Sequence, residues 1–192
     1  MSKELTIVAG PNGAGKTTFS MELIDEGVIK HFINADEIAK SLIHTDPKLR
    51  NFQAGRLFLT RLNQAIKAEQ NVCFETTLSG LSYIKLIKKL KQSGWSIKLY
   101  YLALKNVDLS ILRVEERVLH GGHDIPIKDI KRRFPKSLHN LFEYYLEVVD
   151  TVYCILNTNE PDLIFTKKND NITIFNESHF NHLRTIARSR NE

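Results

Sequence analysis

Gly10-Pro11-Asn12-Gly13-Ala14-Gly15-Lys16-Thr17-Thr18 follows directly on the apolar run Leu5-Thr6-Ile7-Val8-Ala9 and leads into the helix-favouring stretch Phe19–Glu26. A strand, a glycine-rich turn and a helix in that order leave few folds open. The turn reads G-x-x-x-x-G-K-[ST], the pattern of a phosphate-binding P-loop, and each residue type in it has a reason. Glycines at positions 10, 13 and 15 permit backbone angles that let successive N–H groups curl around a phosphate. The helix beginning near Lys16 aims its positive end at the same spot. Lys16 supplies a mobile charge for the β- and γ-phosphates, and the Thr17 hydroxyl is placed to coordinate Mg²⁺. We therefore expect ATP and Mg²⁺ as ligands, with residues 10–18 holding the nucleotide.

The 192 residues fit one α/β unit with a full core, and 42% hydrophobic content is ordinary for a globular chain. Net charge is +5, but no long basic run or RNA-binding signature accompanies it, so no nucleic-acid partner is expected. Cys73 and Cys154 each sit inside an apolar run and read as buried small hydrophobes in a reducing compartment. No signal peptide and no apolar run of membrane-spanning length is found, so the expected location is the cytoplasm, with no membrane partner.

Strands are expected at Leu5–Ala9, His31–Asn34, Asn71–Glu75, Ser96–Leu104 and Thr151–Leu156, with helices between them at Asp36–Leu42, Pro47–Glu69, Ser82–Gln92, Asn106–His120 and Asp129–Val149, the last broken or bent at Pro135. This alternation predicts a parallel sheet of about five strands, with Leu5–Ala9 central between Asn71–Glu75 and Ser96–Leu104, helices on both faces and ligands at the carboxyl ends of the strands. Asp162–Lys168 and Asn171–Asn176 read as a β-hairpin around Asn169-Asp170, followed by a basic helix at Glu177–Arg190. Nothing marks a second domain, so residues 1–192 are expected to form one, with a lid near 118–136 and the hairpin and helix at 162–190.

Which P-loop chemistry follows depends on the other strand ends. No N-K-x-D guanine motif is present, and the nearest stretch, Thr166-Lys167-Lys168-Asn169-Asp170, belongs to the hairpin. Leu78-Ser79-Gly80 imitates the start of an ABC-type ATPase signature, but an amphipathic basic helix follows it rather than an apolar strand ending in Asp-Glu. Asp36, just past the second strand, would face the γ-phosphate from the acceptor side, where a carboxylate can take the proton of an attacking hydroxyl. The same residue could also cap the helix behind it. Glu75 ends an apolar strand, where an acid can touch Mg²⁺, hydrogen-bond an acceptor or cap the next helix, and Thr76 and Thr77 follow it on the acceptor side. Arg113 and Arg117 share one helix face. Beyond Gly121-Gly122-His123-Asp124-Ile125-Pro126 come Arg132 and Arg133. A glycine-hinged segment flanked by arginines suits a lid that closes over a transferring phosphoryl group, while surface pairing with Glu115, Glu116 or Asp129 is the plainer alternative. One His beside one Asp does not make a metal site.

The P-loop, Asn34-Ala35-Asp36, Phe74-Glu75-Thr76-Thr77 and the arginine-flanked lid, in this order, resemble the zeta-toxin-type P-loop kinases, and most closely their short chromosomal relatives labelled predicted ABC-type ATPases. The resemblance spans Leu5 to Asn157. It implies a phosphotransferase acting on a hydroxyl of a small molecule, as zeta toxins act on the 3′-hydroxyl of UDP-N-acetylglucosamine, and a small antitoxin protein as partner. By that resemblance Asp36 matches the general base and Glu75 an acid of the acceptor site. Arg117 and one of Arg132 or Arg133 match the arginines that clamp the phosphate. The chain is shorter than the plasmid-borne toxins. A different class of function, an ATPase or nucleotide switch driving a macromolecular partner, stays open.

Overall fold

The computed structural model describes residues 3–42, 46–158 and 160–189. Its strands are β1 (Glu4–Ala9), β2 (Phe32–Ile33), β3 (Val72–Thr76), β4 (Ser96–Ala103), β5 (Thr151–Leu156), β6 (Asp162–Lys168) and β7 (Asn171–Ile174). They form a single sheet in the order β2-β3-β1-β4-β5-β6-β7. The first five neighbours in that order run parallel, with β1 between β3 and β4 as expected. The hairpin is no separate appendage. β6 pairs antiparallel with β5, and β7 with β6, so the described sheet has seven strands, not five. Sequence alternation locates such a hairpin but not its docking edge, because β5 offers an open edge only once the parallel strands are assembled.

The helices are α1 (Lys16–Asp25), α2 (Ala35–Ser41), α3 (Pro47–Lys67), α4 (Ile84–Gln92), α5 (Val107–Leu119), α6 (Ile127–Asn140), α7 (Leu146–Val148) and α8 (Glu177–Arg188). The register aligns Ile7 with Phe74 and Leu99, and Tyr101 with Cys154 and Phe165, so these side chains share a face. There Phe58 of α3 meets Phe74 edge-on, and Phe180 of α8 meets Phe165. The fully buried Tyr101 hydroxyl bonds to Ser137 of α6 at 2.8 Å. On the other face Phe19 of α1 packs against Tyr100. Period-two strands and amphipathic helices thus close a two-sided core.

The helix expected to be broken or bent at Pro135 is not broken there. Pro135 lies inside α6 without ending it. The irregularity comes later, as a π-helical turn at Leu141–Tyr145 leading into α7. A proline in a helix frees the carbonyl four residues before it, and a polar surface position lets water take that bond. A small second hydrophobic cluster, Val114, Ile125 and Ile130, joins α5 to α6 apart from the main core.

Candidate active site

The P-loop runs from the end of β1 over the N-terminus of α1. Gly10 has φ +145°, and a Cβ there would stand 2.2 Å from the Leu102 carbonyl oxygen of β4. Only glycine lets β1 leave the sheet so close to its neighbour. At Gly15, φ +79°, a Cβ would meet Asn157 Nδ2 at 2.6 Å. The loop is tied from outside as well. Ser110 Oγ donates to the carbonyl of Asn12 at 2.6 Å, and Asn157 Nδ2 donates to the carbonyl of Ala14 at 2.8 Å. Helix α1 begins at Lys16, where the P-loop pattern puts it, because the loop itself forms the entry turn.

One cleft of about 690 Å³ opens above this loop. Asn12, Gly13, Gly15, Lys16, Thr17 and Thr18 form its floor, Asn34, Ala35 and Asp36 one wall, Glu75, Thr76 and Thr77 another, and Arg113, Glu116, Arg117 and His120 of α5 the third. Gly10, Pro11 and Ala14 lie buried beneath it and shape it without lining it. The parallel topology makes this convergence: β1, β2 and β3 are neighbours, so their carboxyl ends reach one place.

Lys16 is half-buried, and its Nζ donates to the carbonyls of Gly10 at 3.0 Å and Pro11 at 2.9 Å. Burial pulls its pKa down to about 8, against the attraction of Glu75 and Asp36. Burial also holds the Glu75 carboxyl above its ordinary range, with Lys16 and the Thr17 hydrogen bond working the other way. Thr17 Oγ1 donates to Glu75 Oε2 at 3.0 Å, while Glu75 Oε1 is enclosed without a hydrogen-bond partner. Two oxygen donors from facing elements, one of them unsatisfied, suit a hard divalent cation.

Asp36 stands in the second residue of α2, but it does not cap that helix. Asn34 does, its side chain accepting from the amides of Asp36 and Glu37. Thr76 Oγ1 accepts from the Leu78 amide at 3.1 Å, and Thr77 Oγ1 bonds to Ser79 at 2.9 Å, so both hydroxyls also shape the β3–α4 turn. Arg113 Nη1 donates to the Asn157 carbonyl at 2.9 Å and Arg117 Nη2 to the His123 carbonyl at 2.6 Å. The structure does not bring Arg132 and Arg133 to the cleft. Arg132 pairs with Asp129 at 2.9 Å on the exposed side of α6, and neither arginine lines the pocket. Nearness in sequence to the lid had suggested them, but the turn of α6 carries them away.

Ser110, Glu116, His120 and Asn157 are members of the site that the motifs do not name, and the capping role of Asn34 is one they do not give. Glu116 and His120 share the 113/117 face by helical spacing, which could have found them. Asn157 follows β5, and only the strand order puts β5 near the loop.

The comparisons with known proteins agree with this geometry. The family model described as zeta toxin matches residues 1–179. An uncharacterized protein of Haemophilus influenzae is 31% identical over 134 residues, covering 70% of this chain and 94% of that one. Among solved structures, the AvrRxo1-ORF1:-ORF2 complex with ATP superposes with a TM-score of 0.74 at 15% identity, covering 97% of this chain and 64% of the other. The toxin–antitoxin system PezAT of Streptococcus pneumoniae gives 0.63 at 16% identity, covering 98% and 85%. A gluconokinase from Sinorhizobium meliloti gives 0.50 at 13% identity, covering 98% and 96%. At these identities the structural likeness shows the P-loop kinase fold.

Proposed function

This chain belongs to the zeta toxin family, and from that premise we propose that it is an ATP-dependent phosphotransferase acting on a hydroxyl group of a small acceptor, a UDP-linked amino sugar first among those to test. The observation that carries the proposal is the meeting of Lys16, Asp36, Glu75, Arg113 and Arg117 around one cleft above the P-loop.

Residues 10–18 bind the triphosphate of ATP through backbone N–H groups and Lys16. Thr17 and Glu75 would hold Mg²⁺, which would neutralise charge on the phosphates. Asp36 holds the acceptor hydroxyl and takes its proton as the acceptor oxygen bonds to the γ-phosphorus, while the electron pair of the broken bond leaves with ADP. Thr76 and Thr77 border the acceptor. Arg113 and Arg117 offer charge from the lid side, where the segment 118–136 excludes water on closing. By family membership a small antitoxin protein is the proposed macromolecular partner.

The test is direct. The purified protein, labelled ATP·Mg²⁺ and UDP-amino sugars, or a fractionated metabolite extract, should yield a labelled small molecule with one phosphate added. ATP hydrolysis stimulated only by a macromolecule, with no labelled small molecule, would overturn the reading.

A further inference from the structure

Arg117 is held in place by the turn that follows its own helix. Past α5 the chain doubles back, with Gly121 N donating to the Val118 carbonyl and Gly122 N to the Arg117 carbonyl, both at 2.9 Å. The two glycines of this turn are needed for different reasons. Gly121 has φ +79°, and a Cβ on it would meet nothing within 4 Å, so its requirement is conformational. Gly122 carries no positive φ, yet a Cβ there would stand 2.4 Å from Arg117 Cγ, 2.8 Å from its carbonyl oxygen and 3.1 Å from Cδ. Its requirement is room. The next carbonyl, that of His123, then accepts from Arg117 Nη2 at 2.6 Å. Arg117 Nε is enclosed and has no protein partner. The stem of Arg117 therefore lies against Gly122, one end of its guanidinium is tied to the turn, and its enclosed Nε is left without a protein partner in a residue that lines the cleft. An anionic oxygen is the partner such a donor lacks.

We propose that Gly122 is a positioning residue for phosphoryl transfer: its missing side chain lets the turn 121–123 hold the Arg117 guanidinium where the transferring phosphate needs it. This rests on the phosphotransferase reading of the site. The coupling also runs the other way, since moving the guanidinium must move the turn bonded to it.

Gly122→Ala, Arg117→Ala, the double variant and Gly121→Asn test it. Arg117→Ala should lower kcat about a hundredfold, as loss of a preorganised charge does. Gly122→Ala should lower it at least about tenfold through displacement alone, with little change in the KM for ATP. The double variant should be no slower than Arg117→Ala to within about twofold, because both changes remove one contribution. Gly121→Asn, which alters the turn without meeting Arg117, should lose at least about tenfold less than Gly122→Ala. Wild-type kcat in Gly122→Ala, or losses that multiply in the double variant, would overturn the proposal. A second measurement needs no turnover. Solvent exchange of the Arg117 Nε–H, followed by NMR, should quicken in Gly122→Ala and not in Gly121→Asn. If the wild-type protein transfers no phosphoryl group, the functional reading fails by itself; an Nε–H unchanged in Gly122→Ala defeats the positioning role independently.

Discussion

Asn34 caps the helix that Asp36 helps to begin: its Oδ1 accepts from the Asp36 amide at 2.8 Å and the Glu37 amide at 3.3 Å. The backbone of Asp36 is fixed by its neighbour, and its side chain is released from capping. Two residues that both suit an N-cap by composition thus divide the work, one fixing position and the other facing the cleft.

Asp36→Asn should therefore leave ATP affinity nearly unchanged, since the P-loop supplies those contacts, and lower phosphoryl transfer about a hundredfold or more, as loss of a general base does. Calorimetric titration of ATP beside product formation with a confirmed acceptor measures both. Transfer at the wild-type rate would remove Asp36 from the mechanism. Weakened Mg²⁺·ATP binding would favour a nucleotide switch.

Asn34→Ala should show the opposite pattern. Loss of the cap costs about 1 kcal/mol, or about 2–4 °C in Tm for a chain of this size. Asp36→Asn should show no such loss in a thermal melt. If the two variants melt alike, the division of roles is wrong.

Lys16 makes nucleotide binding depend on pH. With a pKa near 8 in the folded protein against 10.5 for an ordinary lysine, the unfolded chain binds more protons between those values, so the lysine's contribution to stability rises with pH across that window. Below about 8 the full cost of holding a buried charge is present. Lys16→Met should accordingly lose ATP binding and yet melt higher than wild type at pH 7. Bound phosphates favour the charged form, so ATP binding at pH 9 should take up a proton. Calorimetry in two buffers of different ionisation enthalpy detects that uptake, and its absence would show that Lys16 is charged in the free protein.

Asn157→Ala removes the donor to the Ala14 carbonyl but keeps the main-chain oxygen that Arg113 uses. One hydrogen bond of about 1 kcal/mol predicts about fivefold weaker ATP binding. Gly15→Ala should abolish binding, for two reasons: the 2.6 Å approach to Asn157 Nδ2 and the positive φ. Adding Asn157→Ala to it removes the first and not the second, so the double variant should recover part of the lost affinity. No recovery in an equilibrium titration would place the whole effect in the backbone.

The sequence carried the P-loop residue by residue, because each of its constraints is local: a glycine angle, a charge, a hydroxyl, a following helix. It carried the places of β1, β3 and β4 in the sheet through the strand–helix alternation. It also carried Asp36 and Glu75 to the cleft, since strand ends meet by topology. Arg132 and Arg133 went astray because their place depends on where α6 turns relative to the cleft, a tertiary quantity with no local sign. Asn157 gave none either, as its partners Ala14 and Arg113 are distant in sequence. The choice between Asn34 and Asp36 as cap turned on a shift of helix start that composition does not resolve.

The ties on the P-loop bear on how binding energy is used. Asn12 is bound from Ser110, Ala14 from Asn157, and Gly10 lies flush against Leu102. A loop held by β4, α5 and the end of β5 has little conformational entropy left to lose when a triphosphate arrives. What the phosphates contribute on docking is then not consumed in ordering their own cradle and stays available to the groups that face them from α5.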